Sequence, residues 1–195
     1  MKVIYLRDAK ERGYIRVGIS SSVGKEEFCI SASDYRTVGE IKCGDSLTEE
    51  QKIQLSSADM RYRAKKRALN ILSYGDNSEK MMYLKLCRSG IDKEVARQTA
   101  KQMVGLGYIN DRRQIKRQII SLVSVSNQGP LKILPKLIAK GYSKSEIEGA
   151  ISELSDSGEI DFSEAEEKIL QASEIHDKNS PEAKKILYKH GFYIC

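Results

Sequence analysis

Three glycines set the frame for this chain: Gly90, Gly141 and Gly191 lie 51 and 50 residues apart, and the residues ahead of them superpose. Leu86, Leu137 and Leu187 coincide. The same shift lays Lys65-Lys66-Arg67-Ala68-Leu69 over Lys116-Arg117-Gln118-Ile119-Ile120, and those over Glu166-Glu167-Lys168-Ile169-Leu170. Self-similarity at such a period marks a repeat architecture. About 50 residues hold three helices of roughly 10 to 15 residues each, and one such unit is too small to bury a large core unaided. Stacked units share theirs. The predicted fold is therefore mainly α: tandem three-helix repeats in an elongated curved array, preceded by a small antiparallel β segment.

The β segment is read from the first 45 residues, where Val3 to Leu6, Tyr14 to Ile19 and Glu27 to Ser31 look like three short strands, with Gly13 and Gly24 between them. At Thr48 the pattern changes. Thr48 followed by Gln51 is a capping-box pair, and only helices are read beyond it. Further starts are expected at Ser78, Asp92, Asp111, Ser143 with Glu146, Ser163 with Glu166, and Ser180 ahead of Pro181; stops are expected at Gly75, Gly90, Gly107, Gly141 and Gly191. Pro135 should bend or delay the helix of 131–140. The resulting organisation is a β-rich segment over 1–47, a linking helix over 48–60, three-helix repeats over 61–110 and 111–160, and a truncated repeat of two helices over 161–195.

No apolar run approaches the ~20 residues of a membrane-spanning helix, and Met1 to Ala9 lacks the apolar centre of a secretory signal, so a cytoplasmic protein without membrane contact is expected. Cys29, Cys43, Cys87 and Cys195 are scattered, with no Cys-x-x-Cys pair; reduced thiols are expected, with Cys29 and Cys87 as small buried hydrophobes. His176 and His190 have neither metal-ligand spacing nor an attached nucleophile. Gly105-Leu106-Gly107 lacks the lysine and serine of a phosphate loop, and Glu164, Glu166 and Glu167 suit the first turn of a helix. Neither catalysis nor a metal or other cofactor is expected.

Charge singles out the middle of the chain. Residues 1–60 hold 9 basic and 10 acidic side chains, 61–150 hold 19 and 7, and 151–195 hold 5 and 10. The central excess favours a polyanion or an acidic protein surface as partner, against the alternative of a solvated lysine face. On the first repeat helix Arg63, Lys66 and Arg67 share one side, with Arg61 and Lys65 close by, away from Ala64, Ala68, Ile71 and Leu72. On the next, Arg113, Lys116 and Arg117 stand away from Ile115, Ile119 and Leu122, with Arg112 beside them. Lys132, Lys136 and Lys140 recur every four residues on a third helix. Tyr74, Tyr83, Tyr108 and Tyr142 are read as packing residues rather than base-stacking platforms.

Several of these segments, in order and spacing, resemble the RecX family of RecA regulators: Ser78 to Leu86, Gly107-Tyr108-Ile109-Asn110-Asp111, Gly129-Pro130-Leu131-Lys132-Ile133, and Leu137-Ile138-Ala139-Lys140-Gly141-Tyr142. The similarity spans roughly residues 61 to 190. The strand-rich segment, with Gly44-Asp45-Ser46-Leu47-Thr48 leading into a helix, resembles the extension of longer RecX proteins. The sequence departs from the family pattern at Met81 and in having two helices in its third unit. What the resemblance implies is a regulator that binds the RecA filament on single-stranded DNA and limits its recombinase, ATPase and co-protease activities; a monomer is expected. Single- or double-stranded DNA would be a further contact. The competing reading is a direct DNA-binding helix-turn-helix regulator, with Arg112, Arg113, Lys116 and Arg117 at the duplex.

Overall fold

Alternation in the first residues does produce a sheet. In the computed structural model, which describes residues 1–22 and 24–193, β1 (Lys2–Asp8), β2 (Tyr14–Ser21) and β3 (Gly24–Ser31) pair antiparallel in the order β1-β2-β3. Val17 faces Leu6 and Phe28 across the ladders. A Cβ on Gly18 would fall inside the Tyr5 ring, so this glycine lets the aromatic side chain lie flat across the strand.

A short helix follows that the sequence reading did not contain, α1 (Ala32–Val38). The Ser31 hydroxyl accepts the Asp34 N–H at 3.1 Å, and the helix ends on Gly39 at φ +99°. It escaped notice because seven residues carry too little helical periodicity to stand out from a strand end.

The expected capping box opens α2 (Glu49–Leu72): the Gln51 N–H donates to the Thr48 hydroxyl at 3.1 Å, and the Thr48 N–H donates to the Gln51 side chain at 3.0 Å. This helix runs without a break past residue 61, because no glycine or proline interrupts Glu49 to Leu72. The segment read as a linking helix and the first repeat helix are thus one element.

The remaining helices are α3 (Glu79–Arg88), α4 (Lys93–Gly105), α5 (Asp111–Ser124), α6 (Pro130–Ala139), α7 (Lys144–Asp156), α8 (Phe162–Ala172) and α9 (Pro181–His190). The middle members of the three sets, α3, α6 and α9, end at the three glycines that defined the period. Gly90, Gly141 and Gly191 all have positive φ. Two starts differ from expectation by a residue or two: Asn110, rather than Asp111, caps α5, and Asp161, rather than Ser163, caps α8 by accepting the N–H groups of Ser163 and Glu164. Pro135 does not delay α6, which already begins at Pro130.

The chain forms two compact units, one of Met1–Tyr74 with Tyr83–Gln102, the other of Gly75–Met82 with Met103–Cys195. In the first, Leu55 and Ala58 of α2 pack on Val17, Ile19, Phe28 and Ile30 of the sheet. In the second, one continuous core takes Ile115, Ile119 and Val123 from α5, Ile133 and Leu137 from α6, Ile147 and Leu154 from α7, Ile169 and Leu170 from α8, and Ala183 and Leu187 from α9. Neither helix set from α5 onward closes its own interior. Sharing the core removes apolar area from water that each would otherwise expose, at roughly 25 cal/mol per Å².

Candidate interaction surface

The cations of α2 are largely engaged by the chain itself. Arg61 pairs with Asp34 at 2.7 Å, Arg63 with Asp59 at 2.6 Å, and Lys66 with Glu11 at 2.8 Å. Lys65 donates to the Tyr14 hydroxyl at 3.4 Å and Arg67 to the Ser89 hydroxyl at 3.1 Å. The hydrogen bond from Lys66 holds the Glu11 carboxyl down to about 2. Asp59, buried against the sheet, also accepts the Cys29 N–H at 2.9 Å and so satisfies a donor on the β3 backbone. Part of the first basic ridge therefore attaches the helix to the β segment.

On α5 the basic residues divide between two neighbours. Asn110 holds the first turn by accepting the Arg113 N–H at 2.9 Å, while Ile115, Ile119 and Val123 anchor the opposite side. Arg112 reaches Glu153 of α7 at 2.9 Å and Lys116 reaches the same carboxylate at 2.7 Å. These two bonds, Lys116 first, hold the Glu153 carboxyl below its ordinary range. Arg117 turns the other way and pairs with Asp76, ahead of α3. Among the described residues, no carboxylate pairs with Arg113.

Helix α6 has no acidic residue at all. Lys136 donates to the Gln128 side chain at 2.6 Å, Lys140 donates to the Gln118 side chain, and the stem of Lys132 lies against Gly191. Gln118 donates in turn to the Tyr142 hydroxyl at 3.0 Å, and that hydroxyl donates to Gln114 at 2.8 Å. The relay ties α5 to the turn after α6 and places Lys140 beside α5. Arg113, Lys132, Lys136 and Lys140 are thus exposed cations of one unit that, among the described residues, have no carboxylate partner.

Tyr142 is buried, as the packing reading requires, and burial pushes its hydroxyl above the ordinary phenol range. Tyr74 and Tyr108 differ from that reading: they are 85% and 55% exposed, because each follows the end of a helix at a point where no other element covers it. Tyr83 is half-buried, with the Arg97 guanidinium 6.0 Å from its ring centre. Cys29 is buried, Cys87 partly buried and Cys43 exposed, all as free thiols; Cys195 lies outside the described residues. Sequence reasoning missed Glu153, which only the pairing of α5 with α7 brings beside Arg112 and Lys116. It also missed Gly149, a glycine inside a helix, which was visible as an anomaly.

A three-stranded antiparallel sheet packed on α2 in one unit, and in the other the helices α5 to α9 sharing one core, with cations on α5 and α6, define a helical-repeat protein. No family model matches the sequence. Regulatory protein RecX of Clostridioides difficile (strain 630) is 28% identical over 149 residues, 76% of this chain and 68% of that protein. Regulatory protein RecX of Listeria monocytogenes serotype 4a (strain HCC23) is 28% identical over 144 residues, 74% of this chain; the match spans about half, 52%, of the Listeria protein. A crystal structure of regulatory protein RecX superposes with a TM-score of 0.73 at 20% identity, over 98% of this chain and 94% of that one. The crystal structure of RecX from Lactobacillus salivarius gives 0.59 at 25% identity, over 70% and 90%. The chain is similar in sequence and in fold to RecX regulatory proteins. Among the described residues, no helix is long and apolar enough to cross a membrane.

Proposed function

We propose that this chain binds the RecA filament on single-stranded DNA and restrains its recombinase, ATPase and co-protease activities, acting in the cytoplasm as a monomer, by contact rather than by catalysis. The observation that carries the reading is that Arg113, Lys132, Lys136 and Lys140 are exposed and, among the described residues, have no carboxylate partner, on a chain whose relatives bear the name of a regulatory protein. Cations left so favour an anionic surface, either the phosphates of a polymer or the acidic side chains of the protein on it.

The test is a titration of RecA's DNA-dependent ATP hydrolysis on single-stranded DNA. Inhibition at substoichiometric ratio is expected. If hydrolysis is unaffected, while one duplex sequence is bound far more tightly than random DNA at physiological salt, the helix-turn-helix reading replaces this one.

A further inference from the structure

Gly149 stands in the interior of α7 and the fold has no use for it. It lacks the positive φ that calls for glycine, a Cβ there would meet nothing within 4 Å, and glycine is the weakest helix former after proline. At the corresponding position of the preceding repeat stands Gln98, whose side chain is bonded to Glu94. What the missing side chain leaves is a groove between α5 and α7. It is lined by Arg112, Ile115, Glu146, Gly149, Ala150 and Glu153, and encloses about 230 Å³. Its floor is apolar, since Ile115 and Ala150 are core residues. Its volume falls below the roughly 300 Å³ at which pockets begin to enclose drug-sized ligands, and suits a single side chain better.

The rim decides which side chain. Arg112 and Lys116 converge on Glu153, so two cations share one carboxylate. Arg112 remains 76% exposed, and only its Nη2 is engaged by Glu153. A guanidinium offers five donors, so Arg112 can take a second carboxylate from outside. Glu146, the other carboxylate of the rim, is taken up by the Ser143 N–H of its own capping box, and nucleic acid fits less well because the groove's lining holds no aromatic ring on which a base could stack.

The geometry points to the α5–α7 groove as a docking site for a protein segment that presents an aliphatic or aromatic side chain with an acidic residue on the same face. The apolar group enters over Gly149 and the acid pairs with Arg112. This rests on the filament reading, and identifies the occupant as belonging to the filament's protein rather than its DNA. None of Arg113, Lys132, Lys136 and Lys140 lines the groove, so the two can be tested apart.

Gly149→Leu fills the groove from a position where its Cβ clashes with nothing and where helix propensity improves, so the variant should fold at least as well as the parent. Binding of the full chain to RecA filaments on oligodeoxythymidylate, and to the same oligonucleotide alone, would be measured by fluorescence anisotropy, with a thermal melt as control. The expected result is filament binding weakened about tenfold or more, the size of a hot-spot loss, with naked-DNA binding unchanged. Unweakened filament binding by folded Gly149→Leu overturns the groove while leaving the filament reading standing. A loss confined to naked DNA overturns the protein occupant, and a parent chain that ignores filaments removes both the reading and the groove assigned from it.

Discussion

The Ser78 hydroxyl donates to the carbonyl of Lys140 at 2.6 Å, closing the gap between the start of α3 and the end of α6. One period on, the Gly129 N–H donates to the carbonyl of His190 at 3.0 Å, closing the same gap between the start of α6 and the end of α9. The glycine after each carbonyl, Gly141 or Gly191, sits hard against the preceding repeat's middle helix. The 50-residue period in the sequence is therefore also a period of contacts.

These seams predict a ranking of glycine substitutions. A Cβ on Gly191, at φ +93°, would lie 2.8 Å from the backbone nitrogen of Lys132, which cannot turn aside. On Gly141, at φ +94°, it would lie 2.6 Å from the Ser78 hydroxyl, which can rotate away at the loss of its bond to Lys140. The left-handed backbone alone costs a non-glycine residue about 1 to 2 kcal/mol. Urea unfolding should show Gly191→Ala losing about 3 kcal/mol and Gly141→Ala about 2, whereas Gly149→Ala gains up to about 1. Equal effects at the three positions would mean that the seams do not bear on stability.

Asp59 should prove a structural carboxylate of the sheet unit. It accepts the Cys29 N–H and pairs with Arg63, which is itself mostly exposed. Asp59→Ala orphans the buried amide while Arg63 turns to water, for a loss of about 2 to 3 kcal/mol. Asp59→Asn keeps an acceptor and should lose less. Denaturation midpoints of the two variants separate the hydrogen bond from the charge.

Much of this was legible beforehand, for identifiable reasons. Capping at Thr48 and Ser143 was visible because the residue pair is local and its two hydrogen bonds satisfy each other within one turn. The strands were visible from alternation. The fate of the cations was not. Arg112 and Lys116 meet Glu153 across 41 and 37 positions of sequence, and Lys66 meets Glu11 across 55, so a helical wheel, which shows only an element's own neighbours, gave the cations of each helix as an open ridge. Gly149 was passed over, because a lone helix-interior glycine shows its use only when α5 is laid beside α7 and the groove opens.

Acid should loosen the attachment of α2 to the β segment. Glu11 titrates near 2 in the folded chain against an ordinary 4.5, because Lys66 bonds the charged form. A depressed carboxylate contributes stability that is fully present above its unfolded value and lost as pH falls through its folded one. Thermal melts between about pH 5 and 2 should therefore decline more steeply in the parent than in Glu11→Gln, which has no such proton to take up. Parallel declines would show that the pair does not hold in solution.

The functional prediction turns on which cations have no internal counter-charge. Reversing Lys116 and Arg117 together would set Glu beside Glu153 and Glu beside Asp76, so any loss of inhibition would be mixed with a loss of stability. Arg113 and Lys136 have no carboxylate to offend among the described residues. Arg113→Glu with Lys136→Glu should leave the melt within about two degrees of the parent and weaken inhibition of RecA's ATPase about tenfold or more. Salt then tells phosphate from protein. If both side chains neutralise phosphates, the log-log slope of binding against salt should fall by roughly 1.5 in the double variant, and by much less if they meet an acidic protein surface. Unchanged inhibition in the folded variant would make this face merely solvated, and the contact would have to be sought elsewhere on the chain.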